Sequence, residues 1–285
     1  MTPLRQKMIE DMQLRGLAER TQQSYLAAVQ GLAKYHDKSP AELSEGELRA
    51  YLLYLKNEKQ VSASTCNQVL SALKFLYQQT LKQKWPLLDF VKPASQKKLP
   101  VVLSRKEVVR VLGQVRKDHY RVCLNTLYSC GLRLNEGLSL QVGDIDSSRM
   151  MLHLKGGKGN KDRYVPLPER TLQQLRGYWS QHRHDYLLFP SQHGCQAGRQ
   201  PMDPSGMRKA LKAAVREAGV NKTVTIHSLR HSYATHLVEA GVGLQLVQRY
   251  LGHSSLTATY IYVHMTPQSQ QEATTTINSL MAELP

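Results

Sequence analysis

The sequence is short of several things, and each shortage removes a class of protein. Phe occurs only 3 times in 285 residues, although Tyr occurs 14 times. The four cysteines, Cys66, Cys123, Cys130 and Cys195, are widely spaced and form no CxxC pair, which argues against a disulfide framework and against a zinc ribbon. Cys123 and Cys130 lie among apolar residues and read as small core side chains. No apolar run reaches the about 18 residues of a membrane span. The opening MTPLRQKMIEDMQ has no apolar core of the signal-peptide kind, so the chain is expected to be cytoplasmic, with no membrane partner. There is no HExxH helix and no GxxxxGK[ST] loop.

What is abundant is positive charge. Lys and Arg number 38 against 22 acids, a formal net charge of +16. Both parts of the chain share it: 15 bases to 9 acids over residues 1–100, and 23 to 13 over 101–285. A polyanionic partner, with nucleic acid ahead of a membrane surface, is the leading expectation. At 41% hydrophobic residues a packed core is within reach.

Residues 1–85 read as helix throughout. Tyr25, Leu26, Val29, Leu32 and Tyr35 form one stripe at helical period. Ser44 with Glu47 makes a capping box ahead of Leu48, Tyr51, Leu52 and Leu55. Ser62 or Ser64 opens a fourth helix carrying Val69, Leu70, Leu73, Leu76 and Tyr77. These elements predict a small helical bundle. Residues 86–103, punctuated by Pro86, Pro93 and Pro100, read as a linker. Residues 104–285 mix helices with a small sheet: MLHLK and RYVPL flank GGKGNKD as a hairpin, and helices are expected near 104–117, 119–131, 205–218, 227–240, 243–250, 256–263 and 267–282.

Four groups of residues carry the polar chemistry. In His227-Ser-Leu-Arg230-His231, helical spacing sets His227 and Arg230 on one face, a pairing suited to a phosphate; alone it reads equally well as a solvated helix start. His227 and His231 also stand at i, i+4, but with no carboxylate near them before Glu239, which disfavours zinc. In Leu251-Gly252-His253, the glycine permits a tight turn, and Tyr262 follows nine residues after the histidine. Only about one phenol in a thousand is ionised at pH 7, so a nucleophilic tyrosine needs cations or a base beside it. Arg133 follows the helix break at Gly131, with Glu136 one turn on; alone, that is a surface ion pair. Gly156 to Arg163 is a flexible hairpin turn that suits a lysine over a DNA backbone.

Taken in order, SCGLRLNE, GGKGNKDRYVPL, HSLRHSYATHL and LGHSSLTATYIYVH resemble the tyrosine recombinase (phage integrase) family, most closely in pattern the Xer-like recombinases and mobile-element integrases. The resemblance spans most of residues 104–265. It implies a mainly α fold with a small β-sheet: an N-terminal helical DNA-clamping domain at 1–85, a linker at 86–103, and a mixed α/β catalytic domain at 104–285. The apolar helix at 267–282 would dock on a neighbouring subunit.

The resemblance also assigns roles. Arg133 and Arg230 would bind the scissile phosphate, and His253 would hydrogen-bond it. Lys158, chosen over Lys155 and Lys161 because it fills the Gly-Lys-Gly-Asn-Lys box, would protonate the leaving 5′ oxygen. His227 would act as general acid/base, and Glu136 would orient Arg133. Tyr262 would attack and form a 3′-phosphotyrosine; Tyr260 is a decoy. Cys130 stands where Thr is common in the family, and Asn135 where Ser is. No metal and no cofactor are implied. The partners implied are duplex DNA carrying inverted-repeat recombination sites and a homo-tetramer on two such sites, with room for a partner recombinase, exchanging strands through a Holliday junction. Rival readings are a catalytically inactive DNA-binding protein and a type IB topoisomerase.

Overall fold

The computed structural model describes residues 2–91, 99–156, 162–192, 197–253 and 255–263, together with 275, 277–279, 281 and 282. The chain divides into two compact units, residues 1–98 and 99–285.

The first unit is helical because its apolar side chains recur at helical period and three of its helices start on a capping side chain. Helix α1 (Pro3–Leu14) begins with proline, whose missing N–H costs nothing in the first turn, and buries Met8 and Met12. Helix α2 (Glu19–His36) ends on Asp37 in the left-handed region. Helix α3 (Glu45–Asn57) carries the expected box: Glu47 N–H donates to Ser44 Oγ at 3.3 Å and Ser44 N–H to Glu47 Oε2 at 2.8 Å. Such caps contribute roughly 1 kcal/mol. Ser62, not Ser64, caps helix α4 (Ala63–Lys74), which runs into a π-helical turn, Phe75–Thr80. Leu48, Leu52, Leu55, Leu70, Leu73 and Leu76 form one core with the two methionines. Residues 86–90, read from the sequence as the start of the linker, instead form helix α5 (Pro86–Phe90), with Leu88 fully buried in that core. Tyr77 stacks on Trp85 at 4.0 Å and donates its hydroxyl to the Pro40 carbonyl at 2.8 Å.

In the second unit, helix α6 (Arg105–Gly113) starts at a Ser104/Glu107 capping box and stops four residues short of the expected 117. Helix α7 (Asp118–Ser129) follows, then a short helix α8 (Leu134–Leu138). The hairpin is present and gains a strand: β1 (Ile145–Asp146), β2 (Met151–Leu154) and β3 (Arg163–Pro166) form an antiparallel sheet in that order, with Leu152 opposite Val165. Helix α9 (Glu169–His182), absent from the sequence reading, buries Leu172, Leu175 and Tyr178 at three-residue spacing. Helices α10 (Pro204–Glu217), α11 (Ile226–Glu239), α12 (Leu244–Leu251) and α13 (Thr257–Val263) follow, and the described residues 275, 277–279 and 281 are helical. Most of the expected helix at 267–282 lies outside them.

Helix α11 is the central element, packed against α7, α12 and α13. Eight of its residues are buried, including Arg230 and Ser232, so it has no solvent face of ordinary width. Cys123 and Cys130 are fully buried in the same core, and burial pushes the Cys130 thiol up to about 12, which makes both inert packing groups.

Candidate active site

The C-terminus of α12 is the hub of the site. The last carbonyls of a helix lack intrahelical partners and carry its negative dipole end. Here three consecutive ones each receive a guanidinium. Arg163 Nε donates to the Tyr250 carbonyl at 2.9 Å, and Arg133 Nη2 to the Gly252 carbonyl at 3.2 Å. Arg230 Nη2 donates to the Leu251 carbonyl lying between them. Gly252 ends the helix at φ +60°, and a Cβ there would stand 2.9 Å from Arg163 Cδ. The glycine is required by both its backbone angle and the packed arginine.

Glu136 holds the three arginines together. Both Nη atoms of Arg163 donate to its carboxylate, at 2.9 and 2.8 Å, a bidentate fork. Arg133 Nη1 donates at 2.7 Å and Arg133 N–H also at 2.7 Å. Arg230 Nη1 lies 3.7 Å away and donates to the Gly131 carbonyl at 2.7 Å. Burial alone would raise the Glu136 pKa; the hydrogen bonds from Arg163 and Arg133 prevail and hold it at about 2. Three guanidiniums against one carboxylate leave two positive charges in a small volume. Burial, and next the charge of Arg133, bring Arg230 down to about 10, so it stays charged at neutral pH. Its side chain is 1% exposed; that of Arg133 is 27% exposed and is the guanidinium solvent reaches.

Helix α13 brings Tyr262 to this corner. Its ring is 1% exposed against Ala234, Val247 and Leu251. Its hydroxyl is hydrogen-bonded to His231 Nδ1 at 2.9 Å. Burial raises its pKa, and Arg230 pulls it partly back. The His253 ring lies nearly parallel to that of Tyr262 at 6.3 Å, with Nδ1 bonded to the buried Thr259 hydroxyl at 2.9 Å. Tyr260 points to solvent, 52% exposed.

The structure thus brings Arg133, Glu136, Arg230, His253 and Tyr262 together. His227 sits exposed at the start of α11, edge-on to His231 with ring centroids 4.5 Å apart and no hydrogen bond among the described residues. His227 and Arg230 do not present a shared surface: one faces water and the other is enclosed. Lys158 and Lys161 lie outside the described residues; Lys155 is paired with Asp144 at 2.8 Å. Cys130 and Asn135, where the chain departs from the family's usual residues, make none of these contacts.

Two residues escaped the sequence reading. In the sequence His231 stands out only by its metal-like spacing from His227, yet it is the residue on the Tyr262 hydroxyl. Arg163 is the last residue of the hairpin box and carries no role from the sequence. Its signal was strand alternation: Arg163 and Val165 share a face of β3, and Val165 is fully buried.

Known proteins give the chain a family. Residues 102–269 match the model of the phage integrase family, and residues 4–87 match the phage integrase N-terminal SAM-like domain. An integrase/recombinase of Escherichia coli is 34% identical, with 86% of this chain and 84% of the relative covered. Tyrosine recombinase XerD of Oceanobacillus iheyensis is also 34% identical, over 88% of this chain and 90% of the relative. Among solved structures, XerH recombinase bound to its difH substrate before cleavage superposes with a TM-score of 0.64 at 26% identity, over 83% of this chain and 71% of that one. The chain belongs to the phage integrase family. It is a tyrosine-type site-specific recombinase, an enzyme that acts on DNA.

Proposed function

We propose that this recombinase breaks and rejoins duplex DNA through a covalent 3′-phosphotyrosine on Tyr262, with no metal in the step. The observation that carries the reading is the convergence of Arg133, Arg230, His253 and a buried tyrosine on the end of one helix. In attack, Tyr262 Oη bonds to phosphorus, the bond to the 5′ oxygen breaks, and Lys158 gives that oxygen its proton. The non-bridging oxygens gather charge as the five-coordinate transition state forms, and the two uncompensated positive charges match that increase. Each guanidinium has five N–H donors, so Arg133 and Arg230 retain donors beyond their carbonyl and carboxylate bonds. Glu136 fixes where both point. His227, on the solvent side, serves as a general acid/base. In the reverse step a 5′ hydroxyl of another strand attacks the phosphotyrosine, so no nucleotide is consumed.

The wider assembly belongs to the same proposal: residues 1–85 clamp the duplex, four copies act on two inverted-repeat sites, with or without a partner recombinase, through a Holliday junction, and the segment 267–282 docks on a neighbour. The enzyme would work in the cytoplasm on the nucleoid; none of the described helices is long and apolar enough to cross a membrane.

Covalent trapping tests it. The chain is incubated in EDTA with duplexes from the DNA flanking its own coding sequence, then denatured. A boiling-resistant adduct that disappears in Tyr262→Phe and persists in Tyr260→Phe is the expected result. Relaxed circles without junctions would make it a topoisomerase instead. Adduct loss in Tyr260→Phe but not in Tyr262→Phe would overturn the nucleophile.

A further inference from the structure

The proton of the attacking tyrosine needs a destination, and the resemblance pointed to His227. The distances point elsewhere. We propose that His231 Nδ1 takes the Tyr262 hydroxyl proton as Oη bonds to phosphorus. This rests on Tyr262 being the nucleophile.

The geometry is direct: Nδ1 is already 2.9 Å from Oη, within the reach a general base needs. His227 has no such contact. Accepting at Nδ1 requires the neutral ring with its hydrogen on Nε2. The surroundings hold that form. Burial, then His227 and Arg230 on the same helix, bring His231 down to about 4. Across from it stand Tyr262 on α13 and His253 at the turn before it; burial and the arginines bring His253 also to about 4. At neutral pH both rings are uncharged, and the lone pair of His231 is free to accept.

A base held that low is weak, which gives the step its order. Burial is the larger part of what suppresses His231; the charge of Arg230 adds to it, and that charge is one that binds a phosphodiester. When the anion reaches Arg133 and Arg230 it offsets the Arg230 charge and so raises the basicity of His231. At the same moment the phenol becomes acidic, because its oxygen is bonding to phosphorus. The proton moves from Oη to Nδ1, the electron pair of Oη goes to phosphorus, and the pair of the breaking bond leaves with the 5′ oxygen. The imidazolium returns the proton in the rejoining step. Tyrosine activation is thereby tied to occupancy of the arginine pair, which protects the enzyme from side reactions of a standing phenolate.

The test uses the full chain and a nicked duplex spanning the adduct site mapped with that chain, made with oxygen or with sulfur at the 5′ bridging position. His231→Asn keeps an acceptor for the Tyr262 hydroxyl but cannot carry its proton. We expect adduct formation to fall about 10²- to 10³-fold at pH 7. Sulfur should not restore it, because sulfur removes only the leaving group's need for a proton. The loss should shrink about tenfold per pH unit as alkali ionises more phenol, a rescue that a purely packing role would not give. A wild-type rate in His231→Asn, or full rescue by sulfur, overturns the proposal. An adduct persisting in Tyr262→Phe removes the nucleophile and the proposal falls with it, a distinct result. Should His231→Asn fail to fold, nitrogen NMR of the unaltered chain decides: a neutral His231 ring protonated on Nε2 at pH 7 supports the role, and a ring protonated on Nδ1 overturns it.

Discussion

The two units carry the same sign of charge and put it in different places. Among the described residues the first buries Met, Leu, Phe and Tyr and a single polar side chain, Thr80. The second encloses Arg230 at 1% exposure, and Glu136 and Arg163 at 12% and 8%. Burying a charge costs several kcal/mol unless it is paired and hydrogen-bonded. The first unit is therefore built for stability, with no charged side chain among its buried described residues. The second gives up stability to hold guanidiniums in fixed directions, and fixed donors are what the proposed transition-state binding would need.

Glu136→Gln should break this contrast most severely. It leaves Arg163 and Arg230 enclosed without a counter-charge, which costs about 3–5 kcal/mol, and it releases Arg133. The variant should melt far below the wild type and form no adduct. A near-normal melting curve would mean that paired burial is not what distinguishes the second unit.

A matched pair sharpens it. Arg230→Met replaces an enclosed cation with an apolar chain of similar length. Folding stability should stay level or rise, while adduct formation falls about 10²- to 10³-fold, the loss of one transition-state donor. Leu73→Ala, at a fully buried position of the first unit, should do the reverse. It should cost about 3 kcal/mol of stability and leave the rate on saturating DNA unchanged at a temperature where the variant is folded. Denaturant midpoints and single-turnover cleavage separate the two.

Acid should act on the second unit. His231 and His253 are held at about 4 in the folded chain, against 6.5 for an ordinary histidine. Between those values the unfolded chain binds more protons than the folded one. Their share of stability is intact above pH 6.5 and drains as the pH falls toward 4. The loss is on the order of 3 kcal/mol for the first ring forced to charge. Amide exchange at pH 5 should show α11 and α12 opening more readily than at pH 7, with α3 and α4 little changed. Equal loosening of both units would contradict it.

The sequence was legible where one physical pattern sufficed. Helical period found α2, α3 and α4, and alternation around a glycine turn found the β2–β3 hairpin. Helix α9 carries the same kind of pattern, Leu172, Leu175 and Tyr178, but more polar neighbours mask it. In the site, ordered boxes singled out Arg133, Arg230, His253 and Tyr262, which the fold gathers. Contacts between distant residues were not legible. Arg163 meets Glu136 across 27 residues and Tyr250 across 87, and His231 meets Tyr262 across 31. No local spacing encodes such partners. Helix α11 hid its own chemistry, because a helix buried nearly all round has no polar face to read.

The smallest effects concern two helix ends of the same shape. Asp37 ends α2 at φ +49° and Gly252 ends α12 at φ +60°. A left-handed residue other than glycine costs about 1–2 kcal/mol, so Asp37→Gly should stabilise the first unit by up to about 1 kcal/mol, with cleavage unchanged. Gly252→Ala should cost a similar amount and also slow cleavage, because the new Cβ presses on Arg163 and the shifted carbonyl is the one Arg133 holds. Helix ends of the two units then respond in opposite directions, and only the second reports in the chemistry. If Gly252→Ala lowers the melting temperature but cleaves at the wild-type rate, the end of α12 is a structural cap and not the frame that aims the arginines.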